Sequence, residues 1–318
     1  MLFRSSTPHI QIFDPEARFH ALLEKTQSLE PVFCAVVHPC DKESLAGAVD
    51  SAIAGLIKPI LIGPAKKILS TASAAAIDIS PYELIDVPHS HAAADKAADL
   101  AVERKVEMMM KGSLHTDELL HAILARPQLR TGRRMSHVFR FDIPMYSKPL
   151  LVTDAALNIH PTLMEKVDII QNAIDFSVIM GVTNPKVAIL SAVETVNPDI
   201  PSTIEAAALC KMAQRGQIKG GILDGPLAFD NAISTHAAQI KGIDSPVAGE
   251  ADILNVPDLE SGNMLAKQLE YFAGASGAGL VLGSKIPVAL TSRADSARTR
   301  VASAILGLLV AHAHRQKS

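Results

Sequence analysis

Residues 32–63 read VFCAVVHPCDKESLAGAVDSAIAGLIKPILIG. An apolar run, Val32 to Val37, gives way to a turn. Apolar residues then recur at helical spacing from Lys42 to about Ile57, and a second apolar run follows from Pro59 to Gly63. Short apolar runs alternating with helical segments are the pattern of βα units and a mainly parallel sheet. Working outward, the same alternation predicts strands at Tyr82 to Val87 and Glu107 to Gly112, with helices at Ala65 to Ser70 and His91 to Lys105. The fold class is therefore α/β.

Between Arg126 and Pro149 the character changes. Pro127 leads into the basic stretch Arg130-Thr131-Gly132-Arg133-Arg134, then a strand from His137 to Ile143, then Pro144 and Pro149. A domain boundary is placed here. The alternation resumes with strands Leu150 to Asp154, Lys186 to Ala192, Gly221 to Asp224, Asp252 to Val256, Gly279 to Leu282 and Pro287 to Thr291. Helices are expected at Thr162 to Met180, Thr203 to Arg215 and Gly262 to Ala273, with a closing helix from Ser296 to His312 capped by Asp295. The first dozen residues read as irregular.

Composition narrows the function. The 318 residues carry 30 basic and 33 acidic side chains, net charge −3, without long runs. That balance leaves no electrostatic footprint for nucleic acid, and with no Trp and only three Tyr the stacking platforms that grip single strands are scarce. Cys34, Cys40 and Cys210 show no CxxC or Cys/His spacing, so neither disulfides nor structural zinc is indicated, and a reducing cytoplasm fits. The N-terminus lacks the apolar stretch of a secretory signal. The longest apolar helix candidate, Val301 to Ala313, falls short of the roughly 20 residues that cross a bilayer. A small-molecule ligand is the default that remains.

Parallel α/β sheets bind ligands where strands lead into helix N-termini, whose free amides attract anions. Four such turns carry chemistry. Lys111-Gly112-Ser113-Leu114-His115-Thr116-Asp117 brings a cation, a glycine, two hydroxyls and a histidine to one helix start, a set that suits phosphate or an ordinary capped turn. Arg126, Arg130, Arg133 and Arg134 form either an anion clamp or a solvated basic loop. Asp224 to Asn231 and Pro257 to Asn263 carry carboxylates that serve as general bases, metal ligands or plain helix caps. Thr291-Ser292-Arg293-Ala294-Asp295-Ser296 sets a hydroxyl beside a guanidinium, which neutralises an oxyanion or phosphate, unless Ser292 is a turn residue and Asp295 pairs with Arg298. Gly274 to Gly279 reverses the dinucleotide fingerprint, Gly283-Ser284-Lys285 is not a P-loop, and GxSxG and HExxH are both missing.

Taken together, Lys111 to Asp117, Pro185 to Ser191, Asp224-Gly225-Pro226-Leu227-Ala228-Phe229-Asp230, Ser245 to Gly249, Pro257 to Asn263 and Leu290-Thr291-Ser292-Arg293 resemble the phosphate acetyl/butyryl transferases, or phosphotransacylases, in the family's order. The resemblance looks closest to the transferase half of chains that join an enoyl-CoA hydratase to a phosphate acetyltransferase. It implies reversible transfer of a short acyl group between coenzyme A and inorganic phosphate, with no metal or other cofactor. It also implies a fold like that of isocitrate and isopropylmalate dehydrogenases, with two α/β domains and a cleft between them. Residues 1–133 and 284–318 are then the first domain, completed by the C-terminal helix, and 134–283 the second. A homodimer or higher homo-oligomer in the cytoplasm is the implied state.

By the same resemblance Ser292 hydrogen-bonds the thiol or carbonyl, and Arg293 neutralises charge. Lys111, Gly112, Ser113, His115 and Thr116 form the phosphate side, while Asp258, Asn263 and Asp295 belong to the cleft and CoA side. Two departures stand out. Thr299 occupies the position, seven beyond the serine, where acetyltransferases carry an aspartate proposed as general base, and Glu118-Leu119-Leu120-His121 replaces an expected arginine. Arg130 or Arg133 is expected to substitute for that arginine, and Asp295 either replaces the base or only caps the helix. Two other readings stand beside this one: a metal- and NAD-dependent hydroxy-acid dehydrogenase using Asp224, Asp230, Asp252 and Asp258, and a non-catalytic acyl-CoA sensor or subunit.

Overall fold

The computed structural model describes residues 12–291 and 295–316. The first half of the chain forms α1 (Pro15–Glu24), β1 (Val32–Val37), α2 (Lys42–Ile53), β2 (Ile57–Gly63), α3 (Ala65–Ala75), β3 (Glu83–Asp86), α4 (Ser90–Val102), β4 (Met108–Lys111), α5 (Thr116–Leu124), β5 (Ser136–Asp142) and β6 (Leu150–Thr153). There follow α6 (Leu163–Ile179), β7 (Lys186–Leu190), α7 (Pro201–Gln214), β8 (Ile222–Leu227), α8 (Phe229–Ile233), α9 (Thr235–Ile240), β9 (Ile253–Asn255), α10 (Leu259–Tyr271), β10 (Ser276–Leu282), β11 (Val288–Ala289) and α11 (Ala297–Arg315). Each strand expected from the apolar runs is present, most within two residues of its expected ends. The helices α1, α8 and α9 were not expected. The two last are five and six residues long, too short to show a helical period.

Among the described residues the strands form one sheet in the order β3-β2-β1-β4-β11-β10-β5-β6-β9-β7-β8. It is mainly parallel, as expected, with seven of ten strand pairings parallel, but the direction reverses in the middle. The left group, β3, β2, β1, β4 and β11, is parallel, and so is the right group, β6, β9, β7 and β8. Between them β10 is antiparallel to both β11 and β5, and β5 is antiparallel to β6. Three reversals leave the two parallel groups pointing in opposite directions. Apolar runs do not report strand direction, which is why the sequence expectation missed this.

One face of the sheet carries a continuous core: Leu45 of α2, Ile305 and Leu308 of α11, Ile170 and Phe176 of α6 and Leu209 of α7 pack on strands from both groups. The opposite face carries two separate clusters. One joins α4 and α5 to β1, β2, β4 and β11 through Ala97, Leu119, Val37 and Val288. The other joins α8, α9 and α10 to β5, β6, β7 and β9 through Ala232, Ala238, Leu269, Phe141 and Leu254. Helix starts follow the sequence, with Asp41, Thr162 and Asp258 accepting from first-turn amides of α2, α6 and α10. The closing helix differs: Ser296, not Asp295, is its N-cap, accepting from Thr299 N at 3.2 Å. Among the described residues no helix is long and apolar enough to cross a membrane.

Strand β10 begins three residues earlier than its apolar run because Gly277 and Gly279 interrupt the hydrophobic pattern. Both glycines sit inside the ladder for lack of space. A Cβ on Gly279 would collide with the Leu290 carbonyl and the His137 ring, and one on Gly277 would press on Phe141. Gly279→Ala is therefore expected to destabilise the protein by about 2 kcal/mol through overpacking. An unchanged urea midpoint would show that the strands are less tightly apposed than described.

Candidate active site

The C-terminal ends of β1, β4 and β11 lie side by side at one edge of the sheet, because these strands are parallel. The tips of β1 and β4 are locked together. Gly112 N donates to Val37 O at 2.9 Å and Ser113 N to His38 O at 2.8 Å. His38 Nδ1 lies 2.8 Å from Ser113 O, and since a carbonyl only accepts, this nitrogen carries the proton. Gly112 is required by this lock: a Cβ there would strike the backbone of Val37 and His38. Its role is strand packing.

Lys111 is buried at the end of β4. Beside it Arg300, 2% exposed on the second turn of α11, donates Nη1 to Lys111 O at 3.2 Å. Burial pulls the Arg300 guanidinium below its usual pKa, against the attraction of Asp41, Asp295 and Glu43. The Arg300 guanidinium thus reaches the main-chain end of β4, where three strands end. Ser113 and Thr116 are half-buried, and His115 is the exposed N-cap residue of α5, its N–H answered by Glu118 Oε1 at 3.4 Å. Cys40, close to the same edge, has its thiol pushed up to about 11 by burial, which rules it out as a thiolate nucleophile near neutral pH.

Ser292 and Arg293 lie outside the described residues. The chain reaches them from Thr291, a buried residue whose Oγ1 has no partner, and returns at Asp295. Asp295 borders a cavity of ≈ 290 Å³ at the start of α11, lined also by Thr299, Arg298, Arg140 and Asp142. Arg298 does not pair with Asp295 on the helix surface as the sequence allowed; it pairs with Glu16 and lies 4.6 Å over the Phe19 ring. With capping left to Ser296, Asp295 shares the cavity wall with side chains of both signs. Its charge is felt by Arg300, Lys267 and His137.

His137 stands in the middle strand β5, fully buried. Its Nε2 is 3.3 Å from Leu290 O, so Nε2 holds the proton, and Nδ1 has no partner. Desolvation lowers its pKa despite the opposing pull of Asp154 and Asp295, and the ring is neutral at pH 7.

The other expected site residues lie elsewhere. Arg130 and Arg133 precede β5, whose start is at the same end as the start of β4, so they sit at the opposite edge from Lys111 and Thr116. There Arg130 donates to Leu124 O, the end of α5, and Arg133 pairs with Asp175 at 2.6 Å. Arg126 is held by Asp95 and Asp99, and Arg134 by Glu165. The structure does not bring these arginines to the hydroxyl loop. Asp258 follows β9, which runs the other way, and so also lies at the far edge, capping α10 through Ser261; Asn263 donates to Ala155 O. Asp252 pairs with Lys148, and Asp230 with Lys241. Among the described residues no three His, Cys, Asp or Glu converge as a metal site would require.

Comparison with known proteins places this arrangement. The family model for phosphate acetyl/butaryl transferase matches residues 89–308. The chain is 57% identical to a phosphate acetyltransferase of Rhizobium meliloti over 94% of its own length and 95% of that protein's. The chain belongs to this family. It is also 41% identical to a phosphate butyryltransferase of Clostridium acetobutylicum, covering 92% and 98% of the two chains. A branched-chain phosphotransacylase structure from Enterococcus faecalis aligns with a TM-score of 0.77 at 28% identity, over 88% of this chain and 99% of that one. A 4-hydroxythreonine-4-phosphate dehydrogenase from Klebsiella pneumoniae aligns at 0.53 with 14% identity, covering 90% and 99%, a likeness of fold alone. The expected family and dehydrogenase-like α/β fold are thus met.

Sequence reasoning missed His38, His137, Arg140, Asp142 and Arg300. Arg140 and Asp142 were legible as an alternating charged pair on one face of an otherwise apolar strand, and Arg300 as a cation on the buried face of the closing helix. The neutral state of His137 has a measurable consequence. A buried histidine with a lowered pKa stabilises the fold above its unfolded value of 6.5, and this contribution is lost as pH falls below 6.5 toward the lowered folded value. The urea midpoint should therefore drop between pH 7 and pH 5 by less in His137→Asn than in the wild type; equal drops would contradict the neutral assignment.

Proposed function

We propose that the protein is a phosphate acyltransferase, moving an acetyl to butyryl group reversibly between coenzyme A and inorganic phosphate. The observation that carries this is its near full-length kinship to phosphate acetyltransferases. The geometry supports it with two neighbouring environments: a strand edge that buries Lys111 and Arg300, and a cavity of mixed charge at Asp295 and Thr299. Phosphate belongs at the first, held by Lys111, Arg300 and the hydroxyls of Ser113 and Thr116, with Arg293 adding charge from the adjoining segment. Arg300 takes the part that Arg130 and Arg133 are too distant to play.

A phosphate oxygen attacks the thioester carbonyl; the C–O bond forms as the C–S bond breaks, and the phosphate proton ends on the departing sulfur. Ser292 hydrogen-bonds the carbonyl or sulfur. A thiol of ordinary pKa about 8.5 leaves with modest assistance, so orientation and charge stabilisation account for most of the rate. Asp295, which borders the cavity beside Thr299, is the carboxylate that stands in for the aspartate lost at Thr299. The reaction uses coenzyme A and phosphate as substrates and assigns no resident metal or other cofactor.

Three further parts belong to the reading. The division at residues 133/134 and 283/284 falls between β11 and β10, and the split cores of one sheet face support two lobes across a cleft. The open edge of β8, with Ile204 and Ile222 exposed, supports a homodimer. Three unpaired cysteines support a reducing, cytoplasmic setting.

Incubation with acetyl-, propionyl- and butyryl-CoA is expected to release free thiol only when phosphate is present; phosphate-independent release, or none, would overturn the reading. Arg300→Met should raise the KM for phosphate about tenfold or more, the worth of a charge-assisted hydrogen bond. Arg133→Ala should leave it within about twofold, as expected for an exposed pair at the opposite edge.

A further inference from the structure

The cavity at the start of α11 contains a hydrogen bond left unmade. Asp142 is 4% exposed; its Oδ2 accepts from Arg140 Nη1, while Oδ1 is buried without a partner. A desolvated carboxylate oxygen demands a donor, and native proteins leave few such atoms unfilled. The remaining wall says which donor fits. Among the described lining residues Asp142, Asp295 and Glu270 stand beside Arg140 and Arg298, a near balance with no surplus of cations to draw phosphate. Phe19 and Leu22 give it an apolar side.

An uncharged chain of methylenes bearing amide N–H groups matches both the acceptor and the apolar side. We propose that this cavity holds the pantetheine arm of the acyl-CoA, with Asp142 Oδ1 accepting the N–H of the amide nearest the thioester and Arg140 holding the carboxylate in place. The assignment rests on acyl-CoA being the substrate. Thr299 and Asp295, at the start of α11, line the same cavity. Tyr271, 74% exposed, forms the outer lip where the arm leaves toward solvent.

The test compares three acetyl thioesters under saturating phosphate: acetyl-CoA, S-acetyl-N-acetylcysteamine, which keeps only the near amide, and S-butyl thioacetate, which has none. Asp142→Asn, of the same shape, is expected to lower kcat/KM about tenfold with the first two, through KM, and to leave the amide-free thioester and the KM for phosphate within about twofold. Equal losses with all three thioesters, or no loss with the amide-bearing pair, would overturn the assignment. Should Asp142→Asn fail to fold, Tyr271→Ala at the exposed lip decides: a rise of about threefold in the KM for acetyl-CoA supports the site, and an unchanged KM counts against it. A wild type that releases no thiol with phosphate overturns the transferase reading itself, and is seen before any variant is made.

Discussion

Strand β10 runs antiparallel to β11 on one side and to β5 on the other, and β5 in turn runs antiparallel to β6. These reversals in the middle of one continuous sheet decide where chemistry can gather. In an all-parallel sheet every strand would deliver its C-terminal loop to the same edge. Here the left group sends the ends of β1, β4 and β11 to one edge, and the right group sends the ends of β6, β7, β8 and β9 to the other. Lys111, Ser113, Thr116, Arg300 and Asp295 belong to the first; Asp258 and the stretch from Arg130 to Arg134 belong to the second. Close approach at the reversal depends on Gly279, which lets the His137 ring and the Leu290 carbonyl occupy the space a side chain would fill.

At the first edge the protein keeps charge out of water. Arg300 and Lys111 are buried at the strand ends, Arg140 and Asp142 form a buried pair, and in the interior of the sheet burial keeps His137 neutral against the pull of Asp154 and Asp295. Burying charge is unfavourable unless it is paired or has work to do. The same low dielectric that disfavours these groups strengthens their pull on a substrate phosphate or a developing oxyanion. The two places differ: buried cations stand at the strand edge, while the described lining of the adjoining cavity mixes both signs. On the proposed function, an acyl-CoA thioester laid across the two would meet phosphate from one side and keep its uncharged arm on the other.

Much of the fold was legible because buried strands carry continuous apolar runs and helices carry capping residues, as at Val32 to Val37 and at Asp258 with Ser261. Strand direction was not legible, since neither signal changes when a strand is reversed, and the expected substitution by Arg130 or Arg133 was drawn without that knowledge. The order of short motifs identified the family. Side chains whose meaning lies in burial were missed. Arg300 reads as one more basic residue in Ala297-Arg298-Thr299-Arg300, and only packing against Gly47 and the Lys111 carbonyl sets it apart from exposed Arg298. Asp295 was misread as a cap because the preference for a carboxylate at helix starts does not say which of two neighbouring residues, Asp295 or Ser296, takes the position.

The proposed site lies at the edge where β1, β4 and β11 end. A crystal structure with phosphate and coenzyme A tests this most directly. The expected result is phosphate bound within hydrogen-bond distance of Lys111, Ser113 and Arg300. Phosphate held instead by Arg130, Arg133 or Arg134 at the opposite edge would contradict it.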